Sequence, residues 1–180
     1  MSLVGQKMTR QASSHPLFPP REGEVALPFD PASADGDARI VFIGRIRSPW
    51  KSRDDCPKNM AAAHDAGGGG TVEINTPYRA GLIGLVGTSH LILLSWLQHS
   101  PRNLILQKPR HATEPKGVFA LRSPARPNPV GVHVVRLTRL DAEAGRLGLE
   151  AIDVLDGTPL IDVKPYFAST DAVPEATRDR

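Results

Sequence analysis

Short runs of Val, Ile and Leu recur along the chain between clusters of turn residues, and many alternate with polar positions. This pattern is typical of β-strands rather than of amphipathic helices. It predicts seven strands, over residues 39–46, 71–75, 89–98, 117–122, 130–140, 146–154 and 160–163. The 89–98 run is apolar almost throughout, so periodicity alone also allows a short core helix there.

Close turns and a weak helical signal predict the fold class. Residues 130–140 and 146–154 flank Asp-Ala-Glu-Ala-Gly and form the best hairpin candidate. Residues 79–86 could form a short helix despite internal glycines. We therefore expect a mainly β protein, a small single-sheeted antiparallel β-barrel with short helices. A Rossmann scaffold is not expected, because no glycine-rich segment has the strand before it and the helix after it that dinucleotide binding requires.

The domain organisation follows from where the strand pattern begins and ends. Residues 1–38 are rich in proline and lack sustained periodicity, which predicts an irregular N-terminal tail or wrapping arm. Residues 168–180 are polar and predict a C-terminal tail. The folded domain is then residues 39–167. Within it, the four glycines at 67–70 predict a flexible loop tip.

Composition narrows the chemistry and the compartment. Aromatic residues make up only 5% of the 180 residues, so the core must be aliphatic. The single cysteine, Cys56, excludes an internal disulfide and a multi-cysteine zinc site, and the histidines show no metal-ligand spacing, so no metal site is expected. No apolar run is long enough to cross a bilayer. We expect a soluble, cytoplasmic protein with no membrane partner.

Basic residues are concentrated in two segments, 45–58 and 102–126, although the net charge is only +3. This distribution permits a nucleic-acid partner without requiring one, since a solvated basic surface explains it equally well. Cys56 lies between Arg53 and Lys58, which could lower its pKa, but no histidine is nearby in sequence. A cysteine nucleophile is therefore only a minor option.

Two polar segments favour ligand binding over a purely structural role. In the first, three prolines stiffen the loop that carries Arg122, Arg126 and Asn128, which suits an anionic or heteroaromatic ligand. A rigid connection with solubilising arginines is the simpler alternative. In the second, strand alternation places Asp162 and Lys164 on one face, with Tyr166 beyond them. If that face lines the barrel mouth, the ion pair is functional; if it faces solvent, the pair contributes little.

The strings Arg-Ser-Pro-Ala-Arg-Pro-Asn-Pro-Val-Gly and Asp-Gly-Thr-Pro-Leu-Ile-Asp-Val-Lys-Pro-Tyr resemble the TsaA-like family over residues 39–167. Its characterised bacterial members are S-adenosylmethionine-dependent tRNA methyltransferases. They modify the exocyclic amino nitrogen of threonylcarbamoyladenosine beside the anticodon. The resemblance implies S-adenosyl-L-methionine as cofactor, tRNA as partner, a non-Rossmann barrel, and a homodimer with the cofactor near the subunit interface.

The resemblance also implies site residues. The cofactor-binding positions carried over by motif are Pro57, Lys58, Asn59, Ser89, His90, Arg122, Val134, Asp153, Val154, Leu155 and Asp156. Candidates for substrate binding are Arg126, Asn128, Lys164 and Tyr166, and those for a general base are His90, Asp162 and Tyr166. Taken alone, however, His90 is more often a hydrogen-bonded core or rim residue.

Two features keep alternatives open. The chain ends fourteen residues after Tyr166, where some family members carry a further domain, and Thr88 replaces an aromatic residue common in relatives. Two alternatives therefore stay open. One is a methyltransferase of this family that acts on another acceptor, and the other is a non-catalytic S-adenosylmethionine-binding regulatory module.

Overall fold

The computed structural model describes residues 21–33, 36, 38–109 and 112–178. The chain forms two compact units. One, here the sheet unit, comprises the described residues within 1–40 and 97–130, and the other, here the barrel unit, comprises those within 41–96 and 131–180. The strands are β1 Val25–Ala26, β2 Gly44–Arg47, β3 Gly70–Ile74, β4 His90–Trp96, β5 Leu104–Gln107, β6 Lys116–Gly117, β7 Val130–Asp141, β8 Arg146–Leu149 and β9 Thr158–Pro165. The α-helices are α1 Met60–Asp65 and α2 Ala168–Asp171.

The barrel unit is a closed six-stranded barrel in the order β2-β3-β8-β7-β4-β9. Alternation builds it, because every second side chain of β4 is buried, as are the inward-facing His133 and Val135 of β7. Its core is aliphatic, with no accessible surface on Ile46, Leu91, Leu93 or Leu160. The mainly β barrel predicted from the sequence is confirmed, and the ambiguous 89–98 run is strand β4.

The sheet unit is a three-stranded sheet in the order β1-β5-β6. Part of the segment predicted as an irregular tail contributes to it, since Val25 and Ala26 pair antiparallel with Leu106 and Leu104. Residues 1–20 of that predicted tail lie outside the described part of the chain. The domain boundaries at residues 38 and 167 stay predictions.

Several predicted elements are wrong in extent or type. The first barrel strand begins at Gly44 rather than at residue 39. The predicted strand 117–122 is mostly a 3-10 helix, Val118–Ala120, because the Leu121 N–H turns back to the Val118 carbonyl. The predicted helix 79–86 is a 3-10 helix at Thr76–Leu82. The strand predicted over 146–154 ends at Leu149.

The glycine run is not a flexible tip. Gly68 is buried, and a Cβ there would lie 2.1 Å from the Trp50 ring. Gly70 begins β3, and a Cβ on it would lie 2.6 Å from an Ile152 methyl carbon. These glycines allow the backbone to approach neighbouring groups closely, so the segment is part of the packed barrel.

Candidate functional site

Three polar residues form a hydrogen-bonded chain in the barrel unit, and we refer to them as the interior triad: Ser95, His133 and Asp153. The Ser95 hydroxyl lies 2.8 Å from His133 Nε2, and His133 Nδ1 lies 2.8 Å from Asp153 Oδ1. Ser95 has no accessible surface, and the side chains of His133 and Asp153 are 7% and 16% exposed. An ionised carboxylate can only accept a hydrogen bond, so His133 Nδ1 is the donor to Asp153, and Nε2 forms the hydrogen bond with the Ser95 hydroxyl.

Strand alternation places the interior triad. Ser95 shares the inward face of β4 with Leu91 and Leu93, and His133 shares that of β7 with Val135. Gly131 makes room for the contact, because a Cβ there would lie 2.5 Å from Ser95 Oγ and 2.6 Å from His133 Nε2. The close approach therefore depends on glycine at this position.

A serine, a histidine and an aspartate in this order also occur in hydrolases, where the serine attacks a carbonyl. Ser95 is inaccessible, so no substrate reaches its hydroxyl. The interior triad instead fixes the position of the Asp153 carboxylate, whose side chain is more exposed than that of His133. Sequence reasoning missed Ser95 and His133, although the parity of the 130–140 run places His133 with the buried Val135.

Asp153 opens a loop that is tied firmly to the segment after β2. The Ser48 hydroxyl donates to the Val154 carbonyl at 2.7 Å, and the Trp50 indole N–H donates to the Ile152 carbonyl at 2.7 Å. Val154 is buried and Leu155 is partly exposed. The loop holding Asp153, Val154, Leu155 and Asp156 is therefore rigidly positioned.

Both carboxylate oxygens of Asp156 contribute to this anchoring. Its Oδ1 accepts from the Ser48 N–H at 3.2 Å and its Oδ2 lies 2.8 Å from Lys51 Nζ and 3.8 Å from an Arg47 nitrogen. The hydrogen bond from Lys51 is the main reason that the pKa of Asp156 lies below its ordinary value. Asp156 acts first as a structural anchor of the loop.

The segment 56–59 carries the remaining cofactor candidates from this region. Burial raises the pKa of Cys56 to about 11, with a further contribution from the charge of Asp153, against a smaller opposite effect of Arg53. Arg53 does lower this pKa, but burial and the Asp153 charge outweigh it, so Cys56 is a poor nucleophile. Asn59 caps α1 by accepting from the Ala62 N–H at 2.9 Å. Pro57 is partly exposed and Lys58 is exposed.

Ser89, His90 and Tyr166 lie together where β4 begins. The Ser89 hydroxyl lies 3.0 Å from His90 Nδ1, the rings of His90 and Tyr166 meet edge to face at 6.5 Å, and the Tyr166 N–H donates to the His90 carbonyl. This cluster brings together two general-base candidates predicted from the sequence.

The other predicted residues of β9 and β7 face solvent to differing degrees. Lys164 Nζ lies 2.9 Å from Asp162 Oδ2, and the two side chains are 59% and 40% exposed. Such a solvated pair contributes little to stability. Val134 points outward from β7, opposite in direction to its neighbour His133.

The proline-stiffened loop lies in the sheet unit. The Arg126 guanidinium donates to the carbonyls of Ser123, Val118 and Leu121, so it closes its own loop. Asn128 accepts from Arg102 at 3.3 Å through its side-chain oxygen, and Arg122 is exposed. Ligand roles for Arg122, Arg126 and Asn128 stay predictions.

The described residues show neither a metal-binding cluster nor a membrane-spanning helix. None of the groups of His, Cys, Asp and Glu in this part of the chain has three members placed to hold a metal ion. Among the same residues, no helix has the length and hydropathy needed to span a bilayer.

Comparison with known proteins gives consistent matches. Residues 45–172 match the family model described as the tRNA-methyltransferase O N-terminal domain. The chain is 41% identical over 144 residues to the probable S-adenosyl-L-methionine-binding protein VirR of Rhizobium radiobacter, covering 80% of this chain and 77% of that protein. It is 51% identical over 61 residues to a tRNA (adenine(37)-N6)-methyltransferase of Eikenella corrodens, covering 33% and 35% of the two chains.

A solved structure supports the same fold. The crystal structure of TrmO from Pseudomonas aeruginosa is similar with a TM-score of 0.63 and 36% identity. The match covers 79% of this chain and 61% of that one, so this chain spans less than two thirds of the solved TrmO chain.

Proposed function

Since this chain belongs to the family of tRNA-methyltransferase O N-terminal domains, which is the TsaA-like family, we propose that it transfers a methyl group from S-adenosylmethionine to tRNA. The acceptor is the exocyclic amino nitrogen of adenosine 37, carrying a threonylcarbamoyl group. The observation that carries the proposal is the agreement between the family match and a barrel in which His133, itself bonded to Ser95, holds the Asp153 carboxylate in place.

The residues of the barrel unit fit the cofactor. Among the described residues, His133 is the hydrogen-bond partner of the Asp153 carboxylate, through Oδ1. This arrangement leaves Oδ2 to accept from ribose hydroxyls or from the amino group of the methionine part. Backbone groups near Ser89, His90 and Val134 hold the adenine, and Pro57, Lys58 and Asn59 complete the binding segments. The tight anchoring of the 153–156 loop reduces the entropy lost on binding.

S-adenosylmethionine supplies a sulfonium-bound methyl group that is already activated for in-line displacement. The chain mainly has to align donor and acceptor. A carboxylate close to the sulfur would stabilise the charged donor more than the transition state, so Asp153 must contact the ribose or the amino group instead. The charge of Asp156 does not stabilise the sulfonium either, since Lys51 Nζ lies 2.8 Å from Asp156 Oδ2 and neutralises it.

The acceptor nitrogen is conjugated to a urea-like carbonyl, so losing its proton to a base favours attack. His90 is the candidate that the geometry supports best, because Asp162 is already paired with Lys164. Ser89 lies 3.0 Å from His90 Nδ1 and orients the ring. Tyr166, edge-on to His90, holds the acceptor base, and Lys164 binds the threonyl carboxylate or a nearby phosphate.

The protein acts as a homodimer through the outer face of β7. Val132 and Val134 project from this face and are each 47% exposed. Two adjacent apolar side chains on one strand face favour burial against a second copy, since exposed apolar surface of this kind marks interaction sites.

The decisive experiment uses S-adenosylmethionine with a trideuterated methyl group. The chain is incubated with threonine tRNA that carries threonylcarbamoyladenosine but lacks the methyl group, and the tRNA is digested to nucleosides for mass spectrometry. A mass gain of one trideuterated methyl on that nucleoside supports the proposal. An unmodified transcript of the same tRNA is the matched control, and methylation of both at the same rate would contradict the threonylcarbamoyl specificity.

An S-adenosylmethionine-binding module without turnover is the second candidate. The name of VirR favours it, because that relative is named for binding rather than for methyl transfer. A single-turnover reaction with enzyme in excess over tRNA separates the two functions, since a binding module retains the cofactor without producing methylated nucleoside.

A further inference from the structure

Four arginines line one open cavity of about 520 Å³ on the outside of the barrel unit, and we refer to them as the arginine surface: Arg45, Arg47, Arg79 and Arg146. Arg45 and Arg47 project from β2 on either side of the buried Ile46, and Arg146 projects from β8 beside the buried Leu147. Arg79 joins them from the 3-10 helix Thr76–Leu82. None of the residue roles implied by the family resemblance includes these side chains.

Strand register places the charges in one row. Glu73 of β3 lies opposite Arg45 on one side and opposite Arg146 on the other. Its carboxylate is taken by Arg47, whose Nε lies 2.9 Å from Glu73 Oε2. The single carboxylate in the lining is therefore already paired with Arg47, and the four arginines exceed it in charge by three.

This excess is difficult to explain by folding alone. Like charges on neighbouring strands of a sheet repel, and exposed ion pairs contribute little in compensation. Arg79 is held in place by bonds to the carbonyls of Ile74 at 3.3 Å and Glu143 at 3.1 Å. Ordering an arginine beside other arginines is favourable when an anion binds between them, because each guanidinium can donate two parallel hydrogen bonds to a phosphate.

The lining indicates an extended polyanion rather than a nucleotide. Asn75 and Thr76 add neutral polar side chains, whereas the described lining contains no aromatic ring on which a base could stack. β2 and β8 lie on either side of β3, so they are about two strand spacings, roughly 10 Å, apart, and their guanidinium groups can contact different positions along one backbone. Contacts of this kind position a nucleic acid without reading its sequence.

We propose that the arginine surface docks the phosphate backbone of the RNA substrate. This inference rests on the proposed function, because it assumes that the acceptor is carried on tRNA. The surface is continuous with the candidate cofactor site through Arg47, which lies 2.9 Å from Glu73 and 3.8 Å from Asp156 at the end of the 153–156 loop. A backbone held there brings its nucleotides beside the loop that carries Asp153.

The test compares tRNA binding by the wild-type chain and an Arg45→Gln/Arg146→Gln variant, measured by fluorescence anisotropy over a range of salt concentrations. Both arginines are exposed, so glutamine removes the charge, keeps a polar side chain and leaves the fold intact. We expect a loss of affinity of about tenfold at low salt and a decrease of about 1 to 2 in the slope of log affinity against log salt.

Arg139→Ala is the matched control, because its side chain is 80% exposed on β7 and lies outside the lining. It should change the affinity less than about twofold. Calorimetry with S-adenosylmethionine gives a second readout, and the double variant should bind the cofactor as the wild type does. A double variant that retains wild-type tRNA affinity and salt slope would overturn the inference while leaving the proposed function standing.

Two further outcomes separate the inference from its premise. Adenosine monophosphate at the same phosphate concentration should not displace the tRNA, and displacement would assign the surface to small anions instead. If the wild-type chain binds S-adenosylmethionine but no tRNA at any salt concentration, the tRNA acceptor itself is refuted, and the inference fails with it.

Discussion

Replacing His133 with leucine tests whether the interior triad holds Asp153 for the cofactor. The substitution removes both hydrogen bonds of the ring, 2.8 Å to Ser95 and 2.8 Å to Asp153. The fully buried Ser95 hydroxyl and the Asp153 carboxylate, which is only 16% exposed, then lose their histidine partner. A lost bond to a charged group costs about 1.5–3 kcal/mol, and an unsatisfied buried hydroxyl about 1–3 kcal/mol.

Partial solvation of Asp153 and the added apolar burial of leucine offset part of this cost. We expect His133→Leu to lower the free energy of unfolding by about 3 kcal/mol and Ser95→Ala to lower it by about 1 kcal/mol. The double variant His133→Leu/Ser95→Ala should be about 1 kcal/mol more stable than the sum of the two single losses predicts, because it no longer contains a buried Ser95 hydroxyl without a partner. Urea unfolding followed by tryptophan fluorescence measures all four chains.

Cofactor affinity separates positioning from stability alone. Val135→Ala creates a cavity two residues along the same inward face and should cost about 2 kcal/mol of stability. It should leave the affinity for S-adenosylmethionine unchanged by calorimetry, whereas His133→Leu should weaken it about tenfold, or about 1.4 kcal/mol. Strictly additive stabilities, or equal affinities in the Val135 and His133 variants, would refute the role of the interior triad.

Three other predictions concern charge, reactivity and assembly. Lys51 holds the folded-state pKa of Asp156 below its unfolded value, so the stability lost in Lys51→Met should be fully visible at pH 6. The difference should begin to shrink near pH 4 and disappear as the pH falls through the lower folded-state pKa; urea unfolding at each pH measures it, and a constant difference would contradict it. Alkylation of Cys56 by iodoacetamide, followed by mass spectrometry, should accelerate only towards pH 11. In Asp153→Asn the inflection of the rate against pH should move to lower pH, and an unchanged inflection would show that the Asp153 charge does not raise this pKa. Val134→Glu should shift the chain from dimer to monomer in sedimentation velocity without changing its thermal stability, and a monomeric wild type would refute the dimer.

The sequence predicts elements best where alternation is long and decisive. The parity of residues 130–140 gives the inward and outward faces of β7, because buried and exposed positions alternate there over most of its length. The short strands β1, β5 and β6 have two to four residues and are defined by pairing between distant segments. No local pattern of that length distinguishes such a strand from a loop.

The candidate site is only partly readable for the same reason. Asp153 lies three residues before the recognisable string that begins at Asp156. Its partners Ser95 and His133 are 38 positions apart in sequence, and only the barrel register brings them together. Arg126 shows what the sequence context leaves out. Its hydrogen bonds to three carbonyls of its own loop depend on how that loop folds, and its ligand role stays a prediction.

Calorimetric titration of the chain with S-adenosylmethionine tests whether the barrel unit binds this cofactor through Asp153. We expect saturable binding of one cofactor per chain, weakened at least about tenfold in Asp153→Asn, whose amide cannot carry the charge of the carboxylate. Wild-type protein that releases no heat and shows no saturation, or an Asp153→Asn variant that binds as tightly as the wild type, would contradict it.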